Sequence, residues 1–216
     1  SLAHNGVMFM DEFPEFDRRA KESLRQPLED GRITITRTGG SVSYPSNLMV
    51  VAAMNPCPCG YYGHPARQCT CTEAARKRYR DKVSGPILDR IDLHIEVEPV
   101  DYEKLSSRNK EETSAEIRKR VNKARDIQRK RFEGTDISCN AKMSPKVTKE
   151  FCVLTEEASN LLKLSFDKLG LSARAYDKIL RIARTIADLE ESEGIELSHI
   201  AEAIQFRSLD RKYWSD

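Results

Sequence analysis

The sequence has 216 residues, 39% of them hydrophobic and 32% charged, with a formal net charge of +2. That length suits one domain with a core, or a domain with a small helical appendage, and a charge so close to balance excludes a uniformly basic nucleic-acid coat, leaving local clusters as the source of any such contact. No run of about 18 apolar residues occurs, which excludes a membrane-spanning helix, and with no signal-peptide pattern at the start the expected location is cytoplasmic.

Ser1–Gly6 runs directly into an apolar stretch, an abrupt start that predicts a further N-terminal part of the protein. Val7–Met10 is a short apolar run that suits a strand covered on both faces, and it ends in Asp11 and Glu12. Ala20, Leu24 and Leu28, spaced by four, predict one helix from about Asp17, its N-cap, to Asp30-Gly31. Ile33–Thr36 and Ser41–Tyr44 flank Thr38-Gly39-Gly40 and predict a β-hairpin. A second buried strand is expected from Leu48 to Met54, ending at Asn55.

The chain then changes character. Asn55-Pro56-Cys57-Pro58-Cys59-Gly60 opens a loop rich in Pro, Gly, Cys and Tyr that closes at Cys69-Thr70-Cys71. A basic helix is predicted over Thr72–Lys82, stopped by Ser84-Gly85-Pro86, and Leu93–Val97 alternates like a strand. Residues 101–113 are polar and linker-like. Ile117, Val121, Ala124 and Ile127 predict one face of a helix over Ser114–Phe132. The last third reads as helices over about 145–152, 155–168, 172–190 and 198–206, with Thr155 and Ser198 as start signals and Ile179, Ile182, Ala183, Ile186 and Leu189 as a core stripe.

Two constellations carry chemistry. An apolar strand ending in Asp-Glu has the shape of a Walker B motif: strand ends project side chains into the crevice above a parallel sheet, where nucleotides bind. Asp11 would help hold Mg²⁺, which takes hard oxygen ligands, and Glu12 would polarise the attacking water. Asn55, at the end of the next strand, could orient that water. The plain alternative is a strand followed by an acidic turn. The second constellation is Cys57-x-Cys59 with Cys69-x-Cys71. Such grouping suggests metal rather than disulfide in a reducing compartment, and Zn²⁺ is the default for four thiolates, with His64 a substitute ligand. The one-residue spacing is tighter than usual, and unligated loop cysteines are the alternative.

These stretches have a specific likeness. Gly6–Phe16, Leu24-Arg25-Gln26-Pro27-Leu28-Glu29-Asp30-Gly31, Ala52–Gly60, Leu88-Asp89-Arg90-Ile91-Asp92-Leu93-His94-Ile95-Glu96-Val97 and Leu171-Ser172-Ala173-Arg174-Ala175-Tyr176 resemble, in order, the magnesium-chelatase-like AAA+ ATPases of the YifB/ComM type. The resemblance implies an α/β fold: a partial AAA+ P-loop core over 1–100, a linker and basic helix over 101–135, and an all-α lid over 136–216. It makes Asp11 and Glu12 Walker B, Asn55 sensor 1, Arg174 sensor 2 and Arg90 the arginine finger that reaches a neighbouring subunit's ATP, where local pairing with Asp89 or Asp92 is the alternative.

The Gly-rich phosphate loop of that family is missing. It is expected upstream, behind a Lon-protease-like domain, so these residues alone are expected not to turn over ATP. The implied whole is an ATP- and Mg²⁺-dependent homo-oligomer, a hexameric ring acting on DNA in a helicase or branch-migration role. In related rings the hairpin faces the pore, which makes Arg32, Arg37 and Ser41 candidate phosphate contacts. The basic helix 114–132 is a lesser DNA candidate, since charge runs are usually solvated faces. Rival readings are a chelatase-type motor, a protein-remodelling ATPase, and a zinc-organised DNA-binding module with a dead ATP site.

Overall fold

Val7–Met10 forms strand β1 and Met49–Ala52 forms β4, and the two pair in parallel with Val7 opposite Met49 and Met10 opposite Ala52. In this computed structural model residues 1–97 and 112–207 are described, so most of the stretch read as a linker, 101–113, and the last residues of the helical third lie outside the described residues. The chain divides into two units, one covering Ser1–Ile91 and one beginning at Asp92. Together they give a mixed α/β chain with a parallel strand pair and many helices.

In the first unit a parallel pair needs a crossover. It runs through a 3-10 turn (Phe13–Glu15), α1 (Arg18–Ser23), α2 (Arg25–Asp30) and an antiparallel hairpin of β2 (Arg32–Arg37) and β3 (Gly40–Pro45). The single helix expected after Asp17 is therefore two. Asp17 does cap α1, accepting a bond from the Arg19 N–H, but Pro27 has no N–H to return to Ser23 and its ring crowds that turn, so the helix breaks at Leu24. Gly31, at φ 65, ends α2 in the left-handed region that glycine adopts without penalty. After β4 come α3 (Glu73–Arg80), capped by Thr72, and α4 (Gly85–Leu88).

Met10, Phe13, Leu24, Val83, Ile87 and Leu88 make the core of this unit, with Met8, Leu28, Met54 and Ile91 at its margin. The expectation that β1 is covered on both faces does not hold among the described residues. The register puts Val7, Phe9, Met49 and Val51 on the other face, and all four are exposed, Phe9 by 64%. The α3–α4 end is tied to the crossover by Lys82–Glu15 at 2.7 Å and by the Ser84 hydroxyl donating to Glu22 at 2.7 Å. The buried Lys21 ammonium donates to the Pro14 carbonyl at 2.8 Å; burial, and then the neighbouring Lys82, hold its pKa below the usual lysine value.

The second unit begins with a further correction. Leu93–Val97 is not a strand: the His94 N–H goes to the Phe206 carbonyl at a helix end (2.9 Å), and Ile95 and Val97 are exposed. Alternation alone does not supply a strand neighbour to pair with. Helix α5 (Ser114–Arg131) opens with a capping box in which Thr113 and Glu116 bond each other's backbone N–H groups. Those bonds hold the Glu116 carboxyl below its usual range. Its expected apolar face is buried only toward its C-terminal end, at Ala124; Ile117 and Val121 are exposed.

A 3-10 turn (Asn140–Lys142), α6 (Pro145–Phe151), α7 (Glu156–Leu169), α8 (Ala173–Leu189) and α9 (Leu197–Gln205) follow. Ser144, Thr155 and Ser172 are N-caps. The last helix starts one residue earlier than the Ser198 signal suggests, because Glu196 and His199 make the reciprocal cap. The core is built on Ile179, Ala183 and Ile186 of α8 with Phe132, Leu162, Ile195 and Ile200. Among the described residues no helix is long and apolar enough to cross a membrane.

Inside this unit lies a buried ionic knot. Asp188, 0% exposed, accepts from Arg131 at 2.8 Å, from Arg184 at 3.1 Å and from the Asn140 amide at 2.7 Å. Arg184 spends its other donors on the Glu193 and Ser192 carbonyls, at 2.7 and 2.6 Å. Removing the carboxylate strands two guanidinium groups in a dry site. Asp188→Ala is therefore expected to lower stability by about 3–5 kcal/mol, read as a shift in the urea midpoint of helical circular dichroism; a loss below about 1 kcal/mol would contradict this account of the knot.

Candidate functional site

Parallel pairing brings the C-terminal ends of β1 and β4 out at one edge. The ladder runs slightly past both strands: the Ala53 N–H donates to Met10 O and the Phe13 N–H donates to Ala53 O, each at 2.9 Å. Asp11 and Glu12 thus leave β1 beside the stretch of chain that leads from β4 to Asn55, and all three side chains are exposed. Glu12 adopts a left-handed backbone, φ 50 and ψ 43, and its N–H bonds the Asp11 carboxylate at 2.9 Å. For a residue with a Cβ this conformation costs about 1–2 kcal/mol. It persists because Phe13, 2% exposed, is locked into the core on one side while β1 is paired on the other. Strain of this kind gathers at functional positions.

Asn55 is anchored by its surroundings. The buried Tyr79 hydroxyl bonds the Asn55 backbone, and burial raises the Tyr79 pKa. A Cβ on Gly60, which has φ 81, would lie 3.8 Å from the Asn55 side-chain oxygen, so the turn after Cys59 lies against that amide.

Arg90, just after α4, points into its own unit. Its guanidinium donates to Glu29 at 3.1 Å through Nε and to the Pro86 carbonyl at 2.7 Å, and its side chain is 11% exposed. One acid that holds it is thus Glu29 of α2, which spacing along the sequence had not pointed to; Asp92, one of the two acids expected nearby, pairs with Lys178 at 2.8 Å. Arg174 is exposed in the first turn of α8, in the second unit.

The four thiols of Cys57, Cys59, Cys69 and Cys71 converge, all lying within 4.8 Å of one another. Cys57 is 3.4 Å from Cys59 and 3.7 Å from Cys69, and Cys59 is 3.6 Å from Cys69. A tetrahedral ion with metal–sulfur bonds near 2.3 Å separates its sulfurs by about 3.8 Å, while a disulfide requires about 2.05 Å. The cluster therefore fits a metal ion. The Tyr61 backbone N–H, and then that of Thr70, bring the Cys59 thiol down to about 5, whereas burial pushes Cys71 up to about 11. His64 is outside the cluster: its Nδ1 accepts from the Ala66 and Arg67 N–H groups at 3.0 and 3.1 Å.

The hairpin residues divide by face. Thr34 and Thr36 stand opposite Ser43 and Ser41, with hydroxyl contacts of 3.4 and 2.9 Å, so one face is a hydroxyl ladder that also carries Arg32. Arg37 belongs to the other face, with Ile35, Val42 and Tyr44. Arg32 and Ser41 thus share a face and Arg37 does not.

Residues 1–105 match the family described as magnesium chelatase, subunit ChlI, and residues 111–207 match magnesium chelatase, subunit ChlI C-terminal. The chain belongs to the magnesium-chelatase-like family. This member is 41% identical over 213 residues to the protein YifB of Escherichia coli strain K12, and 41% identical over 212 residues to the competence protein ComM of Haemophilus influenzae, each alignment covering 98% of the chain. It spans 41% and 40% of the length of those two relatives. The maternal DNA replication licensing factor mcm6 of Xenopus tropicalis is 25% identical over 227 residues, covering 96% of the chain and 25% of that protein.

The left-handed Glu12 gives this magnesium-chelatase-like chain a testable local signature. Glu12→Gly and Glu12→Asn should hold or raise the thermal midpoint, since both residues accept this conformation, whereas Glu12→Val should cost about 1–2 kcal/mol. Equal stability across the three variants would mean that the site stores no strain.

Proposed function

We propose that this chain is the hydrolytic part of an ATP-driven AAA+ ring motor that acts on DNA, in a helicase or branch-migration role, with the phosphate-binding loop supplied by residues outside it. The observation that carries the reading is the parallel β1–β4 pair, which delivers two carboxylates and an amide to one sheet edge. Asp11 would hold the Mg²⁺ that accompanies the nucleotide and neutralises phosphate charge. Glu12 would take the proton of the attacking water, and the Asn55 amide would fix where that water sits. Arg90 is assigned to the phosphates of a neighbouring subunit, and Arg174, in an α-helical lid, to those of its own. The roles of Arg90 and Arg174 make a closed homo-oligomer, a hexameric ring, the working form.

The DNA part is supported by two relatives' names, a competence protein and a DNA replication licensing factor, and by the exposed hairpin, whose Arg32, Ser41 and Arg37 would follow a backbone without reading bases. The decisive measurement is ATP turnover by the full-length protein with and without single-stranded and forked DNA. Turnover should rise with DNA, and Glu12→Gln should reduce it by about 100-fold or more. Turnover indifferent to DNA would shift the assignment to a chelatase-type or protein-remodelling motor, in keeping with the family's description.

The cysteine cluster is assigned as a structural Zn²⁺ site, closed by four thiolates and without a water position. Elemental analysis of the purified protein should find one zinc per chain. Cys57→Ser should lose it and lower the thermal midpoint, since metal binding and folding are coupled at such sites. Four thiols that react freely with a disulfide reagent in metal-free, fully folded protein would refute the assignment.

A further inference from the structure

The loop pinned by the two cysteine pairs is not bare. Tyr61 and His64 meet edge to face, 5.8 Å apart at 76°. The Arg67 guanidinium lies 5.2 Å from the Tyr61 ring centre and donates to its hydroxyl at 2.7 Å. Arg76, reaching back from α3, lies 4.8 Å from the Tyr62 ring centre and donates to the Cys71 carbonyl at 2.8 Å. Tyr62 is 37% exposed at the tip, beside Gly63 at φ 82. Arg67 in the loop and Lys77 and Arg78 in α3 are also exposed. Residues 56–82 hold six Lys and Arg against two acids, a local excess of four positive charges in a chain whose total is +2, so the rest of the chain is net negative.

We propose that this knuckle is a contact surface for single-stranded nucleic acid, with bases stacking on Tyr62 and Tyr61 and phosphates meeting Arg67, Lys77 and Arg78. The inference rests on the reading of the protein as a DNA motor and adds a second contact besides the hairpin. Three observations carry it. The aromatic rings and guanidinium planes are interleaved, the arrangement that accepts unpaired bases of any sequence. The loop and its flanking helix carry a local excess of positive charge, although the helix over 114–132 carries a larger one, eight Lys and Arg against two acids. The four thiols converge, and closed on the proposed ion they would hold both ends of the loop, so that the rings would be presented with little ordering cost on binding. A duplex, with its bases already stacked, offers only phosphates to this surface, which is why the proposed ligand is a single strand.

The test is fluorescence anisotropy of the full-length protein with labelled oligo-dT, oligo-rU and a duplex of equal length, in about 50 to 200 mM salt. Zinc content and thermal midpoint are measured on every variant. Tyr62→Ala should weaken binding of the single strands roughly tenfold, and Tyr62→Phe should stay within about twofold of the parent. The double variant Arg67→Gln, Arg78→Gln should reduce the slope of log affinity against log salt by about 1.4, and it carries the test where Tyr62→Ala loses metal. The two oligonucleotides tell whether the strand is DNA, RNA or either. If metal-replete Tyr62→Ala and the double variant bind as the parent does while Arg37→Glu is weakened, the knuckle is not the surface and the motor reading stands. If the parent itself binds none of the three ligands, the DNA reading fails and this inference with it.

Discussion

The parallel register of β1 and β4, Met10 opposite Ala52, is the constraint on which the first unit depends. Strands that run the same way cannot be joined by a tight turn. The 38 residues of crossover, 11–48, follow from that, and they include the hairpin and the two short helices. The same constraint sends both strand ends out at one edge, so Asp11, Glu12 and Asn55 become neighbours although they are far apart in sequence. An antiparallel pair of the same strands would put them at opposite ends. The left-handed turn at Glu12 is the local price of going straight from a paired strand into a buried Phe13.

The strand edge and the cysteine cluster are one mechanical piece. Cys57, buried, follows Asn55 by two residues, with Pro56 restricting the backbone between them. Gly60 lies against the Asn55 amide, and Tyr79 of α3, the helix that starts just after Cys71, bonds the Asn55 backbone. The knuckle and Asn55 are therefore linked by a short cyclic path of covalent and hydrogen bonds. In the proposed motor, a strand held at Tyr62 acts on the residue that positions the attacking water.

How far the sequence discloses this depends on what each signal measures. The helices of the second unit are legible because their caps are local: Thr113, Ser144, Thr155 and Ser172 each bond a backbone N–H three residues on. The α1–α2 break was legible too, in Pro27, but the four-residue spacing of Ala20, Leu24 and Leu28 masks it. Burial of β1 is not legible from its apolar run, because whether Phe9 is covered depends on neighbours that the run itself does not specify. Leu93–Val97 alternates without any strand to pair with, since periodicity describes a face and not a partner. The convergence of the four cysteines is readable from their grouping, whereas the exclusion of His64 is not, as it turns on two loop N–H groups claiming its Nδ1. The tyrosine doublet inside the loop is visible in the sequence, but only the stacked guanidinium groups give it a meaning.

At Arg90 the observed contacts and the proposed role point in different directions. Its guanidinium is held inside its own chain by Glu29 and the Pro86 carbonyl. Glu29 is half exposed, with 49% of its side chain open to solvent. An ion pair with so wet a partner is screened by solvent and weaker than one buried on both sides. A phosphate group offers more negative charge and more acceptor oxygens, two of which can meet the planar guanidinium side by side, and in the proposed ring it would compete with that carboxylate once a neighbouring subunit brought it within reach. In that proposed ring Glu29 would keep the Arg90 cation paired in the absence of the neighbour. The intrachain pair is what a local structural ion pair also shows, and it is compatible with the finger role proposed for Arg90 only if a phosphate can draw the guanidinium away from Glu29.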